Sequence, residues 1–150
     1  MSTAETVATA DRRAWMGLLA RAEPARLAAL LGADLPEHVL LRAPEIGAVM
    51  VRGRVGGAGD AFNLGEMTVT RCSLRLASGV VGHAYVQGRD RDHARQAALV
   101  DALMQTGRST EIEARVLAPL AAEETARRSA RAARAAATKV EFFTMVRGED

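Results

Sequence analysis

The stretch Val80–Gln105 constrains this chain more than any other. Over Val80-Val-Gly-His-Ala-Tyr-Val-Gln87 small apolar residues alternate with polar or larger ones as in a strand, and Ala97, Leu99, Val100, Leu103 and Met104 form a broad helical arc over Arg91–Gln105. Gly88, Arg89 and Asp90 make a charged corner between them. An apolar strand feeding an apolar helix through so short a turn builds a core, so other elements must pair with the strand or cover the helix. Asp90 reads as the helix N-cap, and Asp92 sits in the first turn, where the helix dipole favours a carboxylate. Such corners also bind anions, because the first helical N–H groups are unpaired. Arg89, Asp90 and His93 are therefore either a ligand site or a well-capped helix start.

Upstream, Met1–Ala10 is small and polar and reads as a flexible N-terminus ahead of a single domain over residues 11–150. Asp11 can cap a helix running to Arg21, with Trp15, Leu18, Leu19 and Ala22 on one face. Pro24 suits the first position of a second helix that Gly32 ends. The two form a hairpin with Trp15 read as core. His38–Arg42 reads as a short strand and Ala43–Gly47 as a break. Ala48–Val55 alternates with period two, Gly56–Gly65 reads as a glycine-rich loop, and Glu66–Leu76 alternates again. With the strand Val80–Gln87 these elements predict an α+β fold: a helical hairpin, then an antiparallel meander of three to four strands packed by helices. Arg108–Leu120 is ambiguous, helical by Ile112, Val116 and Leu117 but extended around Pro119. Ala121–Ala137 is a strong helix former.

The C-terminal stretch is unusually apolar. Phe142, Phe143 and Met145 stand beside Val140 and Val146, unlike a solvated tail. They are candidates for docking, either on their own domain or on a partner.

Several function classes lack their signatures. A net charge of +2 is too mild for a dedicated nucleic-acid binder. The single cysteine, Cys72, excludes an internal disulfide and fits a reducing compartment. No secretory leader or membrane-spanning run is apparent, so a cytoplasmic location is expected. Gly56-Gly-Ala-Gly-Asp60 lacks the Gly-Lys-Ser/Thr ending of a phosphate loop. His38, His83, His93 and Cys72 match no zinc spacing, and no metal is expected. No nucleophile motif is present, and the carboxylates are scattered. Arg127, Arg128, Arg131 and Arg134 line one side of the last helix, as a solvated face, a contact to an acidic partner, or a small RNA- or nucleotide-binding surface.

Three blocks go beyond composition. They are Arg52-Gly-Arg-Val-Gly-Gly-Ala-Gly59 with Phe62-Asn-Leu-Gly-Glu-Met-Thr-Val-Thr-Arg71; Gly82-His-Ala-Tyr-Val-Gln-Gly-Arg-Asp90 with Ala98-Leu-Val-Asp-Ala-Leu-Met104; and Val140-Glu-Phe-Phe-Thr-Met-Val-Arg-Gly148. Together with Trp15-Met16 and Arg42-Ala-Pro-Glu45, they closely resemble the PhnG family, the G subunit of the bacterial carbon–phosphorus lyase core complex. The resemblance implies a subunit that works with the H, I and L subunits to transfer a phosphonate to C1′ of the ribose of ATP, releasing adenine. It places nucleosidase activity on the I subunit. Carbon–phosphorus cleavage falls to the J subunit, with S-adenosylmethionine and an iron–sulfur cluster. It implies an assembly of the G, H, I and J subunits with two copies of each, I being the expected direct partner. This chain is expected to bind no cofactor of its own and to hold no catalytic residue. Arg54, Arg71, Arg89, Asp90 and His93 are candidates for contacts to the triphosphate or a neighbouring subunit.

Overall fold

The computed structural model describes residues 3–139, with side chains from residue 11 onward. Helix α1 (Thr3–Arg21) and helix α2 (Pro24–Leu31) form the expected hairpin. Helix α1 starts upstream of Asp11, which therefore lies inside the helix and does not cap it. Glu23 caps α2 by accepting the Arg26 N–H at 2.8 Å, Pro24 occupies its first turn, and Gly32 ends it at φ 80°.

Strands β1 (His38–Arg54), β2 (Ala61–Leu76) and β3 (Val81–Gln87) form one antiparallel sheet in the order β1-β2-β3. The break expected at Ala43–Gly47 does not occur. His38–Arg42 and the later strand are one element, because β1 is an edge strand and its register shifts between Leu40 and Glu45. An edge strand at an irregularity accommodates Pro44, whose missing N–H faces no partner. The glycine-rich loop is also shorter than expected. Val55–Gly57 is a tight 3₁₀ turn closed by Gly59 N–H to the Val55 carbonyl at 2.8 Å, and pairing resumes at Ala61.

Helix α3 (Arg91–Leu103) lies at the centre and is buried on nearly every side. Alternation along β2 and β3 turns Cys72, Leu74, Ala84 and Val86 towards it. Leu19, Leu27 and Leu31 cover it from the hairpin. Gly82 is the point of closest approach. A Cβ there would overlap the Ala98 carbonyl oxygen and come within 2.8 Å of the Ala102 Cβ, so only glycine lets the strand lie this near the helix.

The ambiguous stretch after α3 is helical. A short helix α4 (Ser109–Ile112) leads into a π-helical turn over Glu113–Leu117 and then helix α5 (Ala118–Ala137). Pro119 sits in the first turn of α5, where its missing N–H is tolerated. The Ala118 N–H reaches back to the Glu113 carbonyl, closing the wide turn. Ile112, Val116, Leu117 and Leu120 join the core, while α5 beyond Glu124 is exposed. Phe142, Phe143 and Met145 lie outside the described residues.

Candidate functional site

The β3–α3 corner is built around Gly88. Its φ of 93° belongs to glycine, its N–H bonds the Thr68 carbonyl at 2.9 Å, and its own carbonyl accepts from the Thr70 hydroxyl at 2.8 Å. Asp90 follows as N-cap and accepts the His93 N–H at 2.9 Å. The His93 side chain turns inward. It is 1% exposed, and its Nε2 lies 2.8 Å from the Leu19 carbonyl. That contact requires a proton on Nε2, and Nδ1 has no hydrogen-bond partner among the described residues. Arg89 points to solvent. The corner thus carries one capping carboxylate, one core imidazole and one exposed guanidinium, and these three side chains do not converge.

Arg71 stands on the face of the sheet opposite α3. It bonds Glu45 on β1 through Nε at 3.0 Å and Nη2 at 2.9 Å, and approaches the Tyr85 hydroxyl on β3 at 3.5 Å. Glu45 also accepts from Arg42 at 3.0 Å. The hydrogen bond from Arg42, followed by the hydrogen bond and charge of Arg71, holds its carboxyl below the usual range. Arg54 sits at the far end of β1, where its guanidinium donates to the Gly59 carbonyl at 3.1 Å. Its rung partner Ala61 lies ten residues along β2 from Arg71, roughly 33 Å at about 3.3 Å per residue. The candidate residues therefore occupy separate places.

One group of consequence was not singled out as a site residue by sequence reasoning. Asp101 on α3 is fully buried and collects four donors. Arg12 gives two hydrogen bonds at 3.1 and 2.7 Å, Trp15 Nε1 one at 2.9 Å, and the His83 backbone N–H one at 2.9 Å. Both carboxylate oxygens are satisfied, and α1, β3 and α3 are tied at one point. Its signal in the sequence was an acid on the apolar arc, one turn beyond Ala97. The half-buried Trp15 serves this junction as well as the core.

The outer half of the β1–β2 hairpin is bare. Strand β3 pairs only with Val69–Arg75, so the ladder from Thr68 outward is a two-stranded arm. Met50, Phe62 and Leu64 are 53%, 42% and 66% exposed. Met50 pairs with Glu66; beyond a register shift between Val51 and Arg52, Phe62 pairs with Gly53, and a Cβ on Gly53 would meet the Phe62 ring and the Leu64 Cβ. An uncovered two-stranded ribbon carrying exposed apolar side chains is marginal alone.

A family model described as phosphonate metabolism protein PhnG matches residues 10–148. The chain belongs to the PhnG family. It is 49% identical over 154 residues to the alpha-D-ribose 1-methylphosphonate 5-triphosphate synthase subunit PhnG of Rhizobium meliloti (strain 1021), covering 99% of this chain and 96% of that relative. Two blocks of the resemblance fall on the bare arm and on the β3–α3 corner with its Gly82 contact. Among the described residues no helix is long and apolar enough to cross a membrane, and no group of three or more His, Cys, Asp or Glu residues is placed to hold a metal ion.

Proposed function

We propose that this chain is a subunit of an alpha-D-ribose 1-methylphosphonate 5-triphosphate synthase and does its work inside the assembled enzyme. The near full-length identity to a subunit of that synthase carries the reading. In the proposed reaction a phosphonate oxygen bonds to C1′ of the ATP ribose, the bond from C1′ to the base breaks, and adenine leaves. The H, I and L subunits are the proposed co-workers in this step, with I in direct contact. The S-adenosylmethionine and iron–sulfur chemistry is assigned to the J subunit, and this chain holds no cofactor. A cytoplasmic location fits that role.

The geometry supports a subunit better than a free-standing enzyme. Asp90 and His93 are engaged in capping and packing, Arg71 in an ion-pair cluster, and the arm presents Met50, Phe62 and Leu64 to solvent. The arm is the proposed face toward the I subunit. Co-expression with an untagged I subunit tests the reading: the two are expected to co-elute on gel filtration, and failure to co-elute contradicts it.

A further inference from the structure

We infer that the cleft between the end of α1, the end of β3 and the first half of α5 is a binding site for a tetrahedral oxyanion, a phosphate, phosphate ester or phosphonate group. Arg21, the last residue of α1, and Gln87, the last of β3, face Glu124, Arg127, Arg128 and Arg131 across a cavity of about 260 Å³. Positions 127, 128 and 131 lie three, four and seven residues beyond 124, so the fold sets one face of α5 against the ends of α1 and β3. The lining holds four guanidiniums against one carboxylate.

That carboxylate is already engaged. Glu124 accepts from Arg21 at 2.7 and 3.4 Å and from Arg128 at 3.5 Å. Arg21, the larger cause, holds its carboxyl below the usual range. Arg127 and Arg131 have no ion-pair partner among the described residues, so their donors remain available to a ligand. Planar guanidinium forks and a neutral amide match the several acceptor oxygens of a tetrahedral anion. The cavity is smaller than pockets that enclose a drug-sized molecule. No aromatic ring lines it, so a base finds nothing to stack on, which favours an isolated oxyanion over RNA. The inference goes beyond the subunit role and does not depend on it.

The test titrates the full-length chain, as purified, with inorganic phosphate, methylphosphonate and tripolyphosphate by calorimetry. Saturable binding is expected, weakened about tenfold or more by the double substitution R127A/R131A. Arg134→Ala, on the same stripe but outside the cleft, leaves binding unchanged. These side chains are exposed, so an unchanged thermal midpoint confirms that the variants fold. Equal binding of phosphate and methylphosphonate assigns a single tetrahedral group, and preference for tripolyphosphate assigns the end of a triphosphate. No saturable binding of any probe overturns the inference. So does an equal loss with Arg134→Ala, which marks diffuse attraction, or a loss of partner association in R127A/R131A with probe binding intact, which marks a protein contact.

Discussion

Trp15 Nε1 donates to the Oδ1 of Asp101 at 2.9 Å, joining the first helix to a carboxylate buried in the central one. Arg12 and the His83 N–H complete the set. A buried carboxylate is tolerated only when its lone pairs are filled, and removing it leaves three donor groups to be resatisfied. Asp101→Ala is expected to cost about 3 kcal/mol in urea unfolding, and Asp101→Asn less, since one acceptor oxygen remains. A loss below about 1 kcal/mol for Asp101→Ala contradicts a structural role for this junction.

Gly82→Ala tests the contact between β3 and α3. The added methyl has no room beside Ala98 and Ala102, so strand and helix must separate. Overpacking of this kind costs about 1–3 kcal/mol. The expected readout is a lower unfolding midpoint with an unchanged denaturant slope. Wild-type stability in the variant contradicts the close approach.

Asp90 can be separated into cap and ligand. As a cap it contributes about 1 kcal/mol, which Asp90→Ala removes and Asp90→Asn largely retains. Denaturation of the three proteins is expected to show that order. Wild-type stability in Asp90→Ala would instead free this carboxylate for a functional role.

The exposed ion pairs give a pH prediction with a definite sign. Glu45 and Glu124 have folded-state pKa values below the ordinary range, because of Arg42 then Arg71 and of Arg21 respectively. Their contribution to stability is therefore present above the unfolded-state value and lost as the pH falls through the folded-state one. Carboxyl NMR titration is expected to show Arg42→Ala moving the Glu45 midpoint up and Arg21→Ala moving that of Glu124 up. Unmoved midpoints contradict these pairings in solution.

Sequence patterning exposed the parts of this fold in which local signals agree. The Pro24 and Gly32 signals bounded α2, and alternation through Gly82, Ala84 and Val86 together with the Asp90 cap marked the β3–α3 unit. Both prolines that misled sit where tertiary context decides. Pro44 is tolerated because β1 is an edge strand, and Pro119 because it opens a helix after a π turn. The place of His93 was not legible, since a capped helix start looks the same whether its third residue points in or out. Nor was the Asp101 junction, because its donors lie 18 to 89 residues away in the chain. The resemblance supplied the functional reading. The bare arm supplies a physical reason for a partner.

The proposed phosphonate transfer requires this chain within an assembly. Formation of alpha-D-ribose 1-methylphosphonate 5-triphosphate from ATP and methylphosphonate by the co-expressed H, I and L subunits, with and without this chain, is the direct test. This product is expected only when the chain is present. It is expected to drop sharply when Leu64→Asp and Met50→Asp disrupt the arm, with the chain's own stability changed by no more than about 0.5 kcal/mol. Undiminished formation of this product in the absence of the chain, or its formation by the chain alone, would contradict that requirement.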